Sequence, residues 1–270
     1  MSNLYPKILH HGAQQGVTGS CHELCLSDKD GILIDCGLFQ GEEAELQKIR
    51  SKGQGSRPEE EGLSGTWQTI DFPVGHIKAL VVSHVHIDHV GRIPYLLAAG
   101  FEGPIYCSEP SALLLPLVLE DAVKVGFTRD SRLVERFLKR LRKMIIPLPY
   151  GRWQPIETDS AARLDIKLQP AGHILGSAYV ECRLRCLLAD IGHLPENCGQ
   201  IPANNNPQRE LRYVFSGDLG APYAPLLPAP RAPYRADVLV LEATYGDRLH
   251  EGRRERRQKL RQLIERALQD

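Results

Sequence analysis

Four side chains of the types that bind metals lie within six positions of the chain. His84, His86, Asp88 and His89 directly follow an apolar run, Ala79 to Val82, that predicts a buried strand. Imidazoles and carboxylates at a strand end are donors that zinc takes in proteins. His84 and His86 are two positions apart, so in extended chain they point to the same side. The stretch therefore predicts a metal site, with Asp88 and His89 placed to reach a second ion nearby.

Donors of the same kind recur far along the chain. His173 stands in a glycine-flanked turn, where compact backbone can approach an ion, and it would complete a tetrahedral site with His84 and His86. Asp218 follows another strand, beside small residues, and is the natural carboxylate to bridge two metals. Asp35 ends an apolar strand and would support a ligating histidine, although an Asx turn is the alternative on local grounds.

The elements that must position these side chains alternate between strands and helices, which indicates an α/β protein. A β-rich opening over 7–37 contains a hairpin turn at 28–31. The later segments are a helix over 111–125, a basic amphipathic helix over 130–144, strands over 164–168, 179–188 and 212–216, a buried strand over 237–241 and a charged helix over 251–269. Residues 189–209 read as a long irregular loop with no assigned role.

Composition narrows the class of protein only modestly. Hydrophobic residues make up 42% of the 270 residues, and 33 basic side chains balance 33 acidic ones, as in ordinary globular proteins. A local metal pair can still supply the positive field that a nucleic acid needs. We find no run long and apolar enough for a membrane span or a signal peptide, so we expect a cytoplasmic protein without a membrane partner.

The seven cysteines and two early histidines are given structural interpretations. The pairs Cys21/Cys25 and Cys182/Cys186 have a spacing that invites a structural zinc, but both lie in strand-like segments, and we expect reduced, buried thiols. The neighbouring residues 10 and 11, both histidines, are interpreted as strand or surface residues rather than ligands.

A family resemblance rests on several motifs that agree in order. The stretch from Ser83 to His89 resembles the HxHxDH signature of the metallo-β-lactamase fold. Further stretches are similar to the β-CASP branch of that fold and to its RNA-processing members, which include the mRNA 3′-end cleavage endonuclease and RNase J groups. These stretches are residues 33–40, 88–96, 103–106, 172–178, 215–219 and 241–246. Together they carry the resemblance over most of the chain.

The resemblance implies an α/β fold, the metallo-β-lactamase αββα sandwich, with only the start of a β-CASP cap. Residues 1–245 would form the metallo-β-lactamase domain, and 246–270 the first helix of the cap. In the family the cap continues with two further histidine motifs. The resemblance therefore implies a truncated chain with an incomplete second metal site and weak or absent nuclease activity of its own.

The resemblance also implies roles for individual residues. One zinc would be held by His84, His86 and His173, and a second by Asp88 and His89, with Asp218 bridging and Asp35 in support. Asp88, Asp218 and Glu242 would be the catalytic acids, and Glu242 would also orient a later histidine. The candidate substrate contacts are Ser177, Thr244, Tyr245 and the basic helix over 132–143, for which a solvated face is the alternative.

The implied function is a zinc-dependent phosphodiester hydrolase that acts on single-stranded RNA. A zinc pair activates water for such a reaction. A homodimer is one arrangement that the resemblance allows. Two alternatives remain open: a thioesterase-like hydrolase on the same fold, and a non-catalytic protein that binds RNA. The sequence leaves open RNA versus DNA, endonuclease versus exonuclease action, and sequence preference.

Overall fold

Two β-sheets organise the part of the chain that the structure describes. This computed structural model describes residues 5–41, 43–44, 69–126, 128–159, 162–187, 208–222, 224–248 and 255–268. The first sheet contains β1 (Lys7–Gly12), β2 (Cys21–Cys25), β3 (Gly31–Ile34), β4 (Ile77–Val81), β5 (Ile105–Ser108) and β6 (Ile145–Leu148), in that order. Strands β1 to β3 pair antiparallel, and β3 to β6 pair parallel.

The second sheet is mainly antiparallel. It contains β7 (Trp153–Ile156), β8 (Arg163–Pro170), β9 (Ala178–Leu187), β10 (Gln208–Phe215) and β11 (Val238–Val240), in the spatial order β11-β10-β9-β8-β7. Only the β10–β11 pair is parallel among these described strands. The carboxyl ends of β10 and β11 therefore lie side by side, and the segments that follow both strands begin close together.

The sheets pack face to face because side chains alternate along each strand. In β3, Ile32 and Ile34 lie in the apolar cluster between the two sheets, whereas Leu33 lies in the cluster on the opposite face. In β4, Val81 likewise lies in the cluster between the sheets, and Leu80 lies in the cluster on the opposite face. Both faces of these strands are covered, which explains their continuous apolar runs.

Helices cover the other face of the first sheet. The helices described are α1 (Ile87–Val90), α2 (Ile93–Ala98), α3 (Glu109–Gly126), α4 (Ser131–Met144) and α5 (Arg256–Ala267). Val90, Ile93, Leu115 and Leu138 of the first four are buried in the cluster that packs on Leu80. The described residues thus supply a helix layer and two sheet layers of the predicted sandwich, and the predicted fold class is confirmed.

The basic helix has the polarity that its sequence predicts. Its capping residue is Asp130, whose carboxylate accepts a hydrogen bond from the backbone N–H of Arg132 at 2.8 Å. Val134, Leu138 and Leu141 are buried against the sheet. The basic side chains of this helix face outward, an exposure that both a solvated face and a phosphate-contact surface require.

The expectation of a buried strand over 237–241 is wrong. Strand β11 lies at the edge of the second sheet and pairs only with β10 among the described strands. Leu239 and Leu241 are 51% and 57% exposed. An apolar run predicts a strand but does not say whether that strand lies at the centre or at the edge of its sheet.

Other expectations differ in extent or lie outside the described residues. Strands β6 and β7 were not expected, because each is short and contains a proline. Most of the expected loop over 189–209 lies outside the described residues. The apolar side of α5, including Leu260 and Leu263, is exposed. None of the helices in the described ranges is long and apolar enough to cross a bilayer.

Candidate metal centre

Three imidazoles and one carboxylate meet in the segments that follow the carboxyl ends of β4, β8 and β10. One donor atom from each of His84, His86, His173 and Asp218 lies within 4.8 Å of all the others. The Nε2 atom of His84 and the Nε2 atom of His173 are each 3.1 Å from Nδ1 of His86. Oδ2 of Asp218 lies 3.7 Å from His84 Nε2 and 3.5 Å from His173 Nε2. Three nitrogens and one oxygen at these separations fit a tetrahedral divalent metal.

A second group of donors adjoins the first. Nε2 of His89 lies 3.2 Å from Oδ1 of Asp218 and 3.9 Å from Oδ2 of Asp88. Asp218 therefore turns one oxygen toward the three-histidine group and the other toward His89. This placement is the geometry that a carboxylate shared by two metal positions requires.

Asp35 supports the second group from beneath. Its backbone is in the left-handed region, with φ of 60°, at the end of β3. One carboxylate oxygen accepts the backbone N–H of Ser83 at 2.7 Å, and the other accepts the Ser83 hydroxyl at 2.8 Å and Nδ1 of His89 at 2.7 Å. An ionised carboxylate only accepts, so Nδ1 of His89 carries a proton and Nε2 faces the site.

Charge in the cluster follows from burial and from this carboxylate pair. Burial and the neighbouring His89 lower the pKa of His84 to about 3. Burial also opposes protonation of His89, but Asp35 and Asp218 outweigh it and raise the pKa of His89 to about 10. Burial opposes ionisation of Asp218, yet its hydrogen bond with His89 lowers the pKa of Asp218 to about 2. The protonated His89 thus lies between two carboxylates, Asp35 and Asp218, which stabilise its charge.

The turn that carries His173 is held by hydroxyl groups. Gly172 and Gly176 have φ of +72° and +85°, values that favour glycine. The Ser177 hydroxyl accepts the backbone N–H of His173 at 3.0 Å. Ser108 and Ser111 both donate to the carbonyl of Gly176, at 2.6 and 3.0 Å. Ser177 is only 3% exposed, so it lies beneath the site and braces the turn rather than offering a surface for substrate.

The corner that carries Asp218 packs directly on this turn. A Cβ added at Gly220 would lie 1.7 Å from the carbonyl oxygen of Gly172, so only glycine allows the two backbones to approach this closely. The backbone N–H of Gly220 donates to the carbonyl of Ala171 at 2.7 Å. The Glu242 carboxylate accepts the backbone N–H of Leu219 at 2.8 Å, which braces the same corner from β11.

A cleft of about 590 Å³ opens beside these groups. Its lining includes Asp35, His89, Asp218, Glu242 and Thr244. Two predicted substrate contacts lie elsewhere: the side chain of Tyr245 is 57% exposed without lining the cleft, and none of the cleft residues belongs to α4. Thr244 is therefore the predicted contact that the structure brings to the cleft.

Sequence reasoning missed part of the cleft wall. His10 and His22 line it, and their Nδ1 atoms are 2.8 Å apart. Burial lowers the pKa of His22 to about 4, so this imidazole stays neutral. Gln14 and Gln15 line the cleft as well. The glycine-rich segment after β1 was the available signal, but its glycines indicated only a turn.

The remaining histidine and cysteine interpretations fit their surroundings. His11 Nε2 lies 2.8 Å from Glu23, which also contacts His76 at 2.7 Å, on the first sheet. Five cysteines are buried and form no disulfide within the described residues; they are Cys21, Cys25, Cys36, Cys107 and Cys182. The expectation of reduced, buried thiols is confirmed for these five.

The fold and this donor set together define a class of metal-binding α/β proteins. Residues 16–180 match the family model described as the Metallo-beta-lactamase superfamily, and the chain belongs to this superfamily. The superfamily implies a metal, and the His and Asp group fits one. The histidine and aspartate side chains of this chain could therefore hold the metal that the superfamily implies.

Three named relatives show which branch of the superfamily this chain resembles. The chain is 33% identical over 266 residues to "Ribonuclease TTHA0252" of Thermus thermophilus, covering 97% of this chain and 49% of that protein. It is 31% identical over 231 residues to "Transcription termination factor FttA" of Cenarchaeum symbiosum, covering 84% and 29%. It is 28% identical over 182 residues to "Integrator complex subunit 11" of Danio rerio, covering 66% and 27%. The resemblance to the β-CASP branch is confirmed, and the chain spans less than half the length of these relatives.

Proposed function

We propose that the protein is a two-zinc phosphodiester hydrolase that cleaves single-stranded RNA. The observation that carries the proposal is the position of Asp218, whose two oxygens face separate groups of donors. His84, His86 and His173 would hold one zinc, and Asp88 and His89 the other. Relatives named as a ribonuclease and as a transcription termination factor support RNA as the substrate class.

The size of the cleft supports single-stranded RNA as the substrate. A cleft of about 590 Å³ has the size of a small-ligand site and would admit an unstacked nucleotide. Two of the donor residues, His89 and Asp218, line this cleft, and His89 is only 4% exposed. A splayed single strand presents its phosphate to such a recess more easily than a rigid duplex does.

The protein's own residues would orient and protect the reacting groups. A bound zinc pair would supply Lewis acidity and offset the negative charge that develops on a phosphodiester. Asp35 fixes the tautomer of His89, and Ser177 fixes the turn beneath His173. Glu242 holds the corner of Asp218 through Leu219. In this proposal Asp88 and Asp218 act at the reacting phosphate, and Glu242 acts by positioning.

Two further assignments belong to the same proposal. Thr244, in the cleft, would contact the RNA backbone, and Tyr245 would contact a part of the strand outside the cleft. Residues 1–245 would form the hydrolase domain, and residues 246–270, which include α5, would begin a cap. The exposed apolar side of α5 supports a packing partner for that segment.

A labelled-RNA cleavage assay with metal analysis tests the proposal. The protein is loaded with zinc, and zinc content and RNA cleavage are measured for the parent, His86→Ala and His76→Ala. His76 precedes β4, whereas His86 follows its other end, so His76→Ala is a matched control. We expect the parent to bind zinc and to cut RNA slowly, since the second metal position is expected to be incomplete in this chain. His86→Ala should lose at least about a hundredfold in rate, and His76→Ala should stay near the parent.

Two results would overturn the proposal. A zinc-loaded parent that hydrolyses a thioester such as S-lactoylglutathione but leaves RNA intact would identify the thioesterase alternative. A parent that binds RNA without cleaving RNA or thioester would identify the non-catalytic alternative.

A further inference from the structure

The loop between β1 and β2 forms a wall of the cleft. Residues of this loop, including Gln14 and Gln15, line the cleft that contains Asp218 and Glu242. The same residues line a second cavity of about 450 Å³ on the other side of the loop. The loop therefore stands as a ridge between two cavities, and its side chains border whatever enters the cleft.

A distant carboxylate fixes this loop. Glu43 accepts the backbone N–H groups of Val17 and Thr18, at 2.5 and 2.7 Å, and also the hydroxyl of Thr18. A Cβ at Gly16 would lie 2.2 Å from a carboxylate oxygen of Glu43, so the glycine makes room for this anchor. The backbone N–H of Gln40 donates to the Thr18 hydroxyl at 3.0 Å, which joins the two segments again. The loop is thus held in one position before any ligand arrives.

The backbone at the start of the loop is strained. Ala13 has φ of 54°, in the left-handed region that a residue with a Cβ seldom adopts. Such a conformation persists when the surroundings hold it, and it is concentrated at binding and active sites. Ala13 directly precedes Gln14 and sets the direction in which the two glutamines leave the backbone.

The two glutamines and their neighbours match the chemistry of a nucleobase. Gln14 and Gln15 are exposed, and neither carboxamide bonds to a residue that the structure describes. Val17 and Leu241, which are 54% and 57% exposed, line the same cleft and offer apolar surface for the face of a base. A carboxamide presents one donor and one acceptor side by side, which pairs best with the edge of adenine.

We propose that Gln14 and Gln15 form a base-binding subsite that selects adenosine next to the scissile phosphate, with Glu43 as the positioning residue that holds the loop. This inference rests on the proposed RNA substrate and adds the identity of the nucleotide. Single-stranded RNA suits such recognition because its unstacked bases expose their hydrogen-bonding edges.

RNA binding tests the subsite separately from cleavage. Short fluorescent RNAs that differ only in the bases flanking one phosphate are titrated by anisotropy into His86→Ala, a background expected to leave the RNA uncut. Gln14→Ala, Gln15→Ala and their combination are added to that background. Gln154→Ala is the matched control, because Gln154 lies on β7 at the opposite edge of the second sheet from β11.

We expect adenosine-containing RNA to bind more tightly than the other RNAs. Each glutamine variant should weaken that binding about three- to tenfold, as one lost hydrogen bond predicts, and the other RNAs should change less than about twofold. Glu43→Ala should have the same selective effect, and Glu43→Gln, which keeps an acceptor, a smaller one. Gln154→Ala should match the background.

Equal binding of all the RNAs by the background protein would overturn the inference, and so would an unchanged adenosine preference in the double glutamine variant. In the cleavage-competent parent, the glutamine variants should raise KM for adenosine-containing RNA while kcat stays within about twofold, since the lost contact is one of binding. A parent that never cleaves RNA refutes the proposed function instead, and the binding profile still decides on the subsite.

Discussion

Replacing Asp35 with asparagine should weaken metal binding without removing a metal ligand. Asp35 is 1% exposed and accepts Nδ1 of His89 at 2.7 Å. In Asp35→Asn, the amide oxygen can still accept the backbone N–H of Ser83, but the NH₂ group then faces the Nδ1–H of His89. The imidazole must turn or move its proton to Nε2, the atom that faces Asp218.

The size of the effect follows from the bond that is lost. A hydrogen bond to a charged group contributes about 1.5–3 kcal/mol, and about 1.4 kcal/mol corresponds to a tenfold change in affinity. We therefore expect zinc affinity at the position that includes His89 to fall about tenfold to a hundredfold. This range agrees with the usual effect of removing the partner of a ligating histidine.

A competition titration against a chromogenic chelator measures that affinity. Asp30→Asn is the matched control, because Asp30 is also 1% exposed and accepts the backbone N–H of Asp159, between β7 and β8, at 2.8 Å. Unfolding of both variants in urea, with metal removed, measures the general cost of losing a buried carboxylate. The reasoning fails if Asp35→Asn keeps the parent's zinc affinity, or if Asp30→Asn loses as much of it.

Two further predictions concern stability and backbone packing. Burial opposes ionisation of Glu23, but contacts with His11 and His76 outweigh it and lower the pKa of Glu23 to about 2. Above pH 4.5, the usual pKa of a glutamate, the ionised side chain therefore stabilises the fold by roughly 3 kcal/mol. This stabilisation is lost as the pH falls toward 2. In metal-free protein, urea unfolding should show that Glu23→Gln costs more free energy of unfolding at about pH 6 than at about pH 3; a difference independent of pH would contradict the linkage. Gly220→Ala should displace the backbone at Gly172, destabilise the fold by about 1–3 kcal/mol or more, and lower zinc affinity in the same chelator titration.

Gly75→Ala is the control for the glycine substitution, because an added Cβ at Gly75 meets nothing within 4 Å. If Gly220→Ala binds zinc as the parent does, the close approach of the two backbones is not what positions Asp218.

The donor residues were predictable because each carries its own local signal. His84 and His86 follow an apolar strand at a spacing of two, and His173 and Asp218 lie beside glycines at corners. The positive φ of Gly172 and Gly217 shows why those glycines are needed. Side-chain chemistry and local periodicity, which a sequence displays directly, were sufficient for this part of the site.

Other features depend on contacts between segments that the sequence does not relate. Glu43 reaches two backbone N–H groups about 25 positions earlier, and no pattern in either segment announces this. Ser177 reads as a possible substrate contact until its hydroxyl is seen to bond inward. The exposure of β11 depends on which strands flank it, a property of the whole sheet.

The arrangement of donors across the sandwich means that a bound metal ion would link its two sheets. His84 and His86 extend from the first sheet, whereas His173 and Asp218 extend from corners of the second. A cation that binds only when both halves are together adds its binding free energy to the folding equilibrium, by an amount that grows with the ratio of free metal to its dissociation constant. Removal of that metal would then raise the fraction of opened molecules and their susceptibility to proteolysis, in addition to any loss of turnover.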